Sequence, residues 1–467
     1  MTDQKVYEPV SETIERLVDK DELIELVQTK RYAELRSRIS ELPAPDMAEL
    51  LSELEPSIQA PMFRLLPKEN AAEVFIELDV EVQKRLIGIL SEGELGAILD
   101  EMYLDDTVDI IEEMPATVVK RIIKSSSGEN RNLINKLLKY PKDSAGSIMT
   151  TEYVRLFPDM TVGEALEHIK RVAIDKETIY TCYVTDRVRR LIGIVTAKSL
   201  MLCDSSTQLF EIMEEQVIYA DTSFDREEVV NLFNKYGFIA LPVVDSECRL
   251  VGIVTVDDAM EVMREETEED FAKMAGITPT ERSYLKTSVF SIWLSRIPWL
   301  LLLMISATFS STILNRFEAA LPAVLILFVP MLMDTGGNSG GQTSVTVIRS
   351  LSLGEISTRD FLAVMWKEIR VGIFTGVTLG AVAFGKVMLI DRLLMQNPDV
   401  TLIVAVAVAV TLALTVSVSK LVGALLPLGA KKIGLDPAVM ASPFITTVVD
   451  AASLLLYFFI AGRVFGL

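Results

Sequence analysis

Residues 330–349, PMLMDTGGNSGGQTSVTVIR, set Asp334, Asn338 and Gln342 inside an apolar run that begins near Leu321. A second carboxylate, Asp450, follows Asp436-Pro437, Ser442-Pro443 and Thr446-Thr447 and precedes the apolar LLLYFF. Polar groups at membrane depth persist where they face protein or water, which makes these residues candidates for an ion path. Gly336-Gly337 and Gly340-Gly341 fit a close helix-packing seam equally well. A seam accounts for the glycines and leaves the carboxylates unexplained. Asp450 has no cation near it in its own segment, where Arg463 stands thirteen residues on, and Lys386 and Lys420 are the candidate internal partners in other apolar segments. The available ligands are all oxygens: carboxylates, amides, hydroxyls and freed carbonyls. Without His or Cys in these segments, zinc and copper are disfavoured. Mg2+ keeps several of its waters, so a single carboxylate with small polar neighbours suits it, and the chemistry leaves Mn2+ and Ca2+ open as well.

Five apolar segments, about 288–313, 320–348, 361–389, 400–428 and 438–463, are each long enough to span a core of about 30 Å. Residues 286–467 carry 13 Lys+Arg and 9 Asp+Glu; with 45 and 65 in the whole chain, residues 1–285 hold 32 and 56, a net of −24. An acidic half thus precedes an apolar one. That charge argues against nucleic-acid binding and attracts cations instead. The first residues, MTDQKVYEPVSETIERL, show no apolar leader core, which places the acidic half in the cytoplasm. Loop charges agree: Lys286, Arg296, Arg349, Arg359, Lys367, Arg370, Lys431 and Lys432 fall inside, against Arg316, Lys386 and Arg392 outside. The expected location is a cell membrane, spanned several times.

Residues 1–140 read as short helices with a repeat. Leu42-Pro43, Leu66-Pro67 and Met114-Pro115 are 24 and 48 residues apart, and DMAELLSEL, NAAEVFIEL and ELGAILDEM are similar helices. Such pairs bury their faces on one another and form a solenoid-like, all-helical domain. Asp105, Asp106, Asp109, Glu112 and Glu113 read as a solvated face. Residues 141–261 alternate strands with helices and are duplicated: LIGIVTAKSL at 191–200 recurs as LVGIVTVDDA at 250–259, and Ile148-Met149 as Ile212-Met213. Residues 257–270, DDAMEVMREETEED, form an acidic helix that leads into a connecting helix, 262–285; its like charges would be eased by divalent cations, and a solvated linker helix is the equal alternative. Cys182, Cys203 and Cys248 lack metal or disulfide spacing, and the lone His168 excludes a two-histidine site.

The duplicated segment resembles a tandem pair of CBS modules. In such pairs a T-x-x-D at the end of the last strand holds the ribose of an adenine nucleotide; here it is Thr255 and Asp258, while the first copy has Thr196 and Ser199. The whole chain is similar to the MgtE family of magnesium channels and transporters, through AAEVFIELD, LPVVDSECRLVGIVTVDDAM, GGNSGGQT and LDPAVMASPFITTVVD. The resemblance implies a helical N-domain, a CBS pair, a connecting (plug) helix and a pore domain of residues 286–467 with five transmembrane helices. It implies a homodimer in the lipid bilayer whose pore is lined by spans two and five, with Asp450 contacting a hydrated Mg2+ and Asp334, Asn338, Gln342, Ser442 and Thr446 beside it. Ser442 stands where some members carry Asn, and Gly341 where some carry a polar residue. It implies regulatory Mg2+ at Asp225, Glu227, Asp258, Glu261, Glu266 and Glu269, and ATP as a ligand of the CBS pair. Transport coupled to a Na+ or H+ gradient is the alternative. No nucleophile with a partner base argues for an enzyme.

Overall fold

The computed structural model describes residues 20–40, 42–279, 284, 287–318, 322–440 and 442–466. It divides into two compact units, 1–262 and 263–467.

The first unit opens with helices Lys20–Gln28 and Tyr32–Ile39, then a strict repeat of helical pairs. First helices begin at Ala44, Lys68, Glu92 and Ala116 and second helices at Pro56, Val80, Leu104 and Gly128, each 24 residues after the last. Pro43, Pro67 and Pro115 occupy the N-cap of three first helices. The step without proline has Ser91, whose side chain and that of Glu94 form a reciprocal capping box. One chain position is therefore filled by two different solutions to the same problem, starting a helix. Gln59 and Gln83 mark the repeat a second time, each buried and donating to carbonyls that close a preceding helix: Gln59 to Leu51 at 2.9 Å and Leu54 at 3.0 Å, Gln83 to Phe75 at 2.9 Å. The pairs enclose Leu23, Met47, Leu51, Met62, Phe63, Phe75 and Leu86 in a core that continues to Met149, Leu241 and Val254.

Two three-stranded sheets follow, β1(Tyr153–Leu156), β2(Thr178–Thr185), β3(Leu191–Thr196) and β4(Ala220–Asp221), β5(Ala240–Val244), β6(Leu250–Thr255). Each has a parallel outer strand and an antiparallel hairpin, with Cys182 opposite Val195 and Leu241 opposite Val254. The repeated Ile-Met segments explain the pairing. Thr150 bridges to Ile253 of the second sheet and Glu214 to Ile194 of the first. A Cβ on Gly252 would lie 2.6 Å from Met149 Sδ, and one on Gly193 2.9 Å from Met213 Sδ. Each copy's opening residues thus bridge to the other copy's sheet.

Helix Val256–Met274 leaves the second sheet and crosses from one unit to the next. It starts before the expected 262 and closes at Met274 rather than 285, because Gly276 takes φ +66 immediately beyond; residues 280–283, 285 and 286 lie outside the described residues. The second unit is helical: Val289–Glu318, Val329–Ser352, Phe361–Lys386 with a π-helical extension Val387–Leu394, Leu402–Lys432 and Ser442–Phe465. Among the described residues four of these are long and apolar enough to cross a membrane; Val329–Ser352, diluted by its polar residues, is the one that is not. It begins nine residues later than the sequence segment at 320, with Pro330 in its first turn and a short helix Ala323–Ile326 ahead of it.

Glycines set the packing of this unit. Gly372, Gly376 and Gly380 face Ser417, Ala413 and Ala409 of Leu402–Lys432, so close that an added Cβ on Gly376 would strike the Ala413 carbonyl.

Candidate functional site

Helix Val329–Ser352 has two unlike faces. Asp334, Asn338 and Gln342, spaced four apart, are exposed along one stripe. Gly336, Gly337, Gly340, Gly341, Thr343 and Ser344 are buried on the other. A Cβ on Gly337 would lie 2.9 Å from Thr446 Cγ2, and one on Gly340 2.9 Å from Ile445 Cγ2. The double glycines thus bring Ser442–Phe465 against the polar helix at backbone range, and Ser344 Oγ donates to Met440 O at 3.1 Å. The glycines form a packing seam, and the seam brings together the two helices that carry the carboxylates. Asp450, half-buried, stands within electrostatic reach of Asp334. Thr446 is half-buried and its hydroxyl donates to Pro443 O at 2.8 Å. Ser442 opens its helix, and its side chain lies outside the described residues.

Neither lysine considered as an internal partner pairs with Asp450 among the described residues. Lys386 pairs with Asp391 at 2.8 Å, and Lys420 donates to Thr343. Asp450 is therefore a carboxylate in an apolar helix with a second carboxylate nearby and no described counter-charge.

A second acidic centre lies wholly within the first unit. Helix Leu104–Glu113 brings Asp105, Asp106 and Asp109 toward Asp257, Asp258 and Glu261 at the start of helix Val256–Met274. Glu177, at the entry to β2, joins them and is tied to Glu152 by its backbone N–H on the Glu152 carbonyl at 2.9 Å. Burial, then the Asp258 charge, pushes Asp106 up to about 7 and Glu177 to about 8. Asp105 is only 7% exposed and is pushed well above the carboxylate range by the same causes. Among the described residues its Oδ1, like Oε2 of Glu177, has no hydrogen-bond partner. Buried carboxylate oxygens left unsatisfied among like charges fit a cation. Among the described residues no three carboxylates close tightly enough to hold an ion directly.

The expected regulatory residues divide between places. Asp258 and Glu261 belong to this centre. Asp225 caps helix Arg226–Tyr236, accepting from Glu227 N at 2.8 Å, so these two share a separate helix turn. Glu266 and Glu269 lie further along Val256–Met274, in the second unit, where Lys273 bridges Glu269 at 2.5 Å and Asp436 at 2.7 Å. Beside them Asp270 accepts from Ser352 Oγ at 3.1 Å, and burial raises its pKa. The reading of Asp105, Asp106 and Asp109 as a solvated face is corrected: Asp105 is buried, Asp106 half-buried, and only Asp109 is exposed. The available signal was position, since Asp105 falls on the same side of its helix as Val108. Glu152 and Glu177 carried no signal in the sequence; strand order alone places them. In the second CBS copy Thr255 donates to Asp258 at 2.5 Å, and in the first Thr196 and Ser199 hydroxyls are 2.9 Å apart, so both T-x-x-D/S pairs are closed on themselves.

An acidic helical solenoid, a paired CBS module and a bundle of apolar helices holding isolated carboxylates define a membrane cation transporter with an intracellular control region. The comparisons agree. Residues 329–460 match a divalent cation transporter family, 42–143 the MgtE intracellular N domain, and 145–205 and 209–265 the CBS domain. The magnesium transporter MgtE of Thermus thermophilus is 37% identical over 94% of this chain and 97% of its own length, and that of Bacillus subtilis 32% over 94% and 96%. A crystal structure of the cytosolic domain of the Mg2+ channel MgtE in complex with ATP is 39% identical, with a TM-score of 0.50 over 51% of this chain and 98% of that one. The soluble part of a magnesium transporter matches with a TM-score of 0.51 at 29% identity, over 54% and 99%. The chain belongs to the MgtE family.

Proposed function

We propose that the chain carries Mg2+ across a membrane through a path walled by helices Val329–Ser352 and Ser442–Phe465, and that cytosolic Mg2+ closes that path. The observation that carries this reading is the glycine seam, which sets the Asp334–Asn338–Gln342 stripe beside the helix bearing Asp450. An isolated carboxylate there, flanked by amides and hydroxyls, suits an ion that keeps its waters. The stripe is exposed in a single chain, which supports a homodimer with the path between copies and Val329–Ser352 as a fifth span. Transport, rather than catalysis, is the activity.

The acidic centre of the first unit is the proposed sensor. Asp105, Asp106, Asp258, Glu261 and Glu177 repel one another without metal; Mg2+ neutralises them and stabilises the compact form. Glu266 and Glu269 extend this control along the connecting helix, and Asp225 and Glu227 form a further site. A ligand that binds the closed arrangement more tightly shifts the population toward it. ATP is proposed as a ligand of the CBS pair at Thr255 and Asp258, which requires their mutual hydrogen bond to open. The test is Mg2+ uptake by proteoliposomes of the full chain. Asp450→Ala abolishes flux while leaving assembly intact; normal flux refutes the path. A flux that needs a Na+ or H+ gradient would instead establish the coupled transporter.

A further inference from the structure

Lys420 lies inside the apolar helix Leu402–Lys432 and is 6% exposed. A buried ammonium in such an element is costly unless compensated. Its Nζ donates to Thr343 Oγ1 at 3.4 Å, and that hydroxyl donates onward to Glu368 Oε2 at 3.1 Å. A hydroxyl has one proton and two lone pairs, so it accepts from the ammonium and donates to the carboxylate at once. Opposite charges from Leu402–Lys432 and Phe361–Lys386 are thereby joined through a side chain of Val329–Ser352.

Thr343 is 4% exposed and faces away from the Asp334–Asn338–Gln342 stripe. One turn earlier, Gly340 meets Gly423 so closely that a Cβ on Gly423 would strike the Gly340 carbonyl. That contact fixes the distance between the two helices. With no side chain on either partner, it does little to fix rotation. A hydrogen-bonded bridge between charges is directional and does so.

We propose that Lys420 and Glu368 are positioning residues that pin Val329–Ser352, through Thr343, in the rotation that presents Asp334, Asn338 and Gln342 to the cation. This rests on the reading of that helix as a wall of the path. The experiment compares Mg2+ influx and the Mg2+/Ca2+ flux ratio in proteoliposomes of the full chain, with assembly followed by size-exclusion chromatography. Lys420→Met strands the half-buried Glu368 carboxylate and Glu368→Gln the buried Lys420 ammonium, and each lowers influx at least tenfold; the double variant removes both charges and regains influx to within threefold of wild type, but without the bridge it keeps a lowered Mg2+/Ca2+ ratio. Thr343→Val keeps both charges and breaks the bridge, so it lowers the Mg2+/Ca2+ ratio in an assembled protein. A double variant, or a Thr343→Val protein, with the wild-type Mg2+/Ca2+ ratio overturns the inference. If Asp450→Ala still abolishes flux in those circumstances, the path stands and only the pin is lost.

Discussion

Neutralising one member of the buried acidic centre gives the sharpest test of the sensor. Asp106 is half-buried on helix Leu104–Glu113, and burial together with Asp258, Asp257 and Glu261 raises it from 3.8 to about 7. At about 1.36 kcal/mol for each tenfold in proton affinity, the rise sets an upper bound of about 4 kcal/mol on what the ionised Asp106 costs the metal-free compact form. The sign follows from proton counts. Between pH 4 and 7 the compact form binds a proton at Asp106 that the opened form has released, so without metal its stability falls as pH rises through that window. Glu177, at about 8, extends the fall above neutrality. Mg2+ offsets it by neutralising the carboxylates. Limited proteolysis of the full chain in detergent, with chelator or Mg2+, from pH 5.5 to 8.5, reads this out. Wild type without Mg2+ is cut faster as pH rises and is protected at all pH values by saturating Mg2+. Asp106→Asn resists cleavage better without metal, shows a shallower pH dependence, and gains less from Mg2+. A metal-free digestion rate independent of pH, or an Asp106→Asn profile superimposable on wild type, would refute the electrostatic reasoning.

Two further outcomes are expected. Gly337→Val forces a side chain into the 2.9 Å approach to Thr446 Cγ2, separates the two proposed path helices, and costs at least tenfold in Mg2+ flux while CBS-region ligand binding is unchanged; flux at the wild-type level would detach the seam from conduction. Thr255→Val removes the hydroxyl that now bonds Asp258 and weakens ATP binding by about tenfold in equilibrium dialysis, a loss of about 1.4 kcal/mol; equal binding would place the nucleotide elsewhere.

The parts of the fold most legible in sequence were those repeated in it. Leu42-Pro43 and its successors gave the solenoid period because proline fixes a helix start, and even the unmarked step kept register through Ser91. LIGIVT and LVGIVT gave the duplicated sheets, though not that each copy's Ile-Met segment bridges to the other's sheet. Asp450 stood out because a lone carboxylate in an apolar helix has few structural uses. Asp105 and Glu177 did not, since acidic residues on a soluble surface are ordinary until topology buries them together. Lys420 is visible as a charge in an apolar segment and as one of two candidate partners for Asp450; the rotation of three helices directs it to Thr343 and Glu368.

The seam of Gly372, Gly376 and Gly380 against Ser417, Ala413 and Ala409 has a mechanical consequence. Two helices meeting backbone to backbone over more than two turns leave no layer of side chains to slide or repack. Phe361–Lys386 and Leu402–Lys432 behave as a single plank, a fixed frame against which thinner parts swing. In the proposed gating, movement is then left to Ser442–Phe465 and the connecting helix that reaches Asp436 through Lys273, while Val329–Ser352 is held to the frame by Gly340 against Gly423 and by Thr343. The frame stays still so that the door has something to close against.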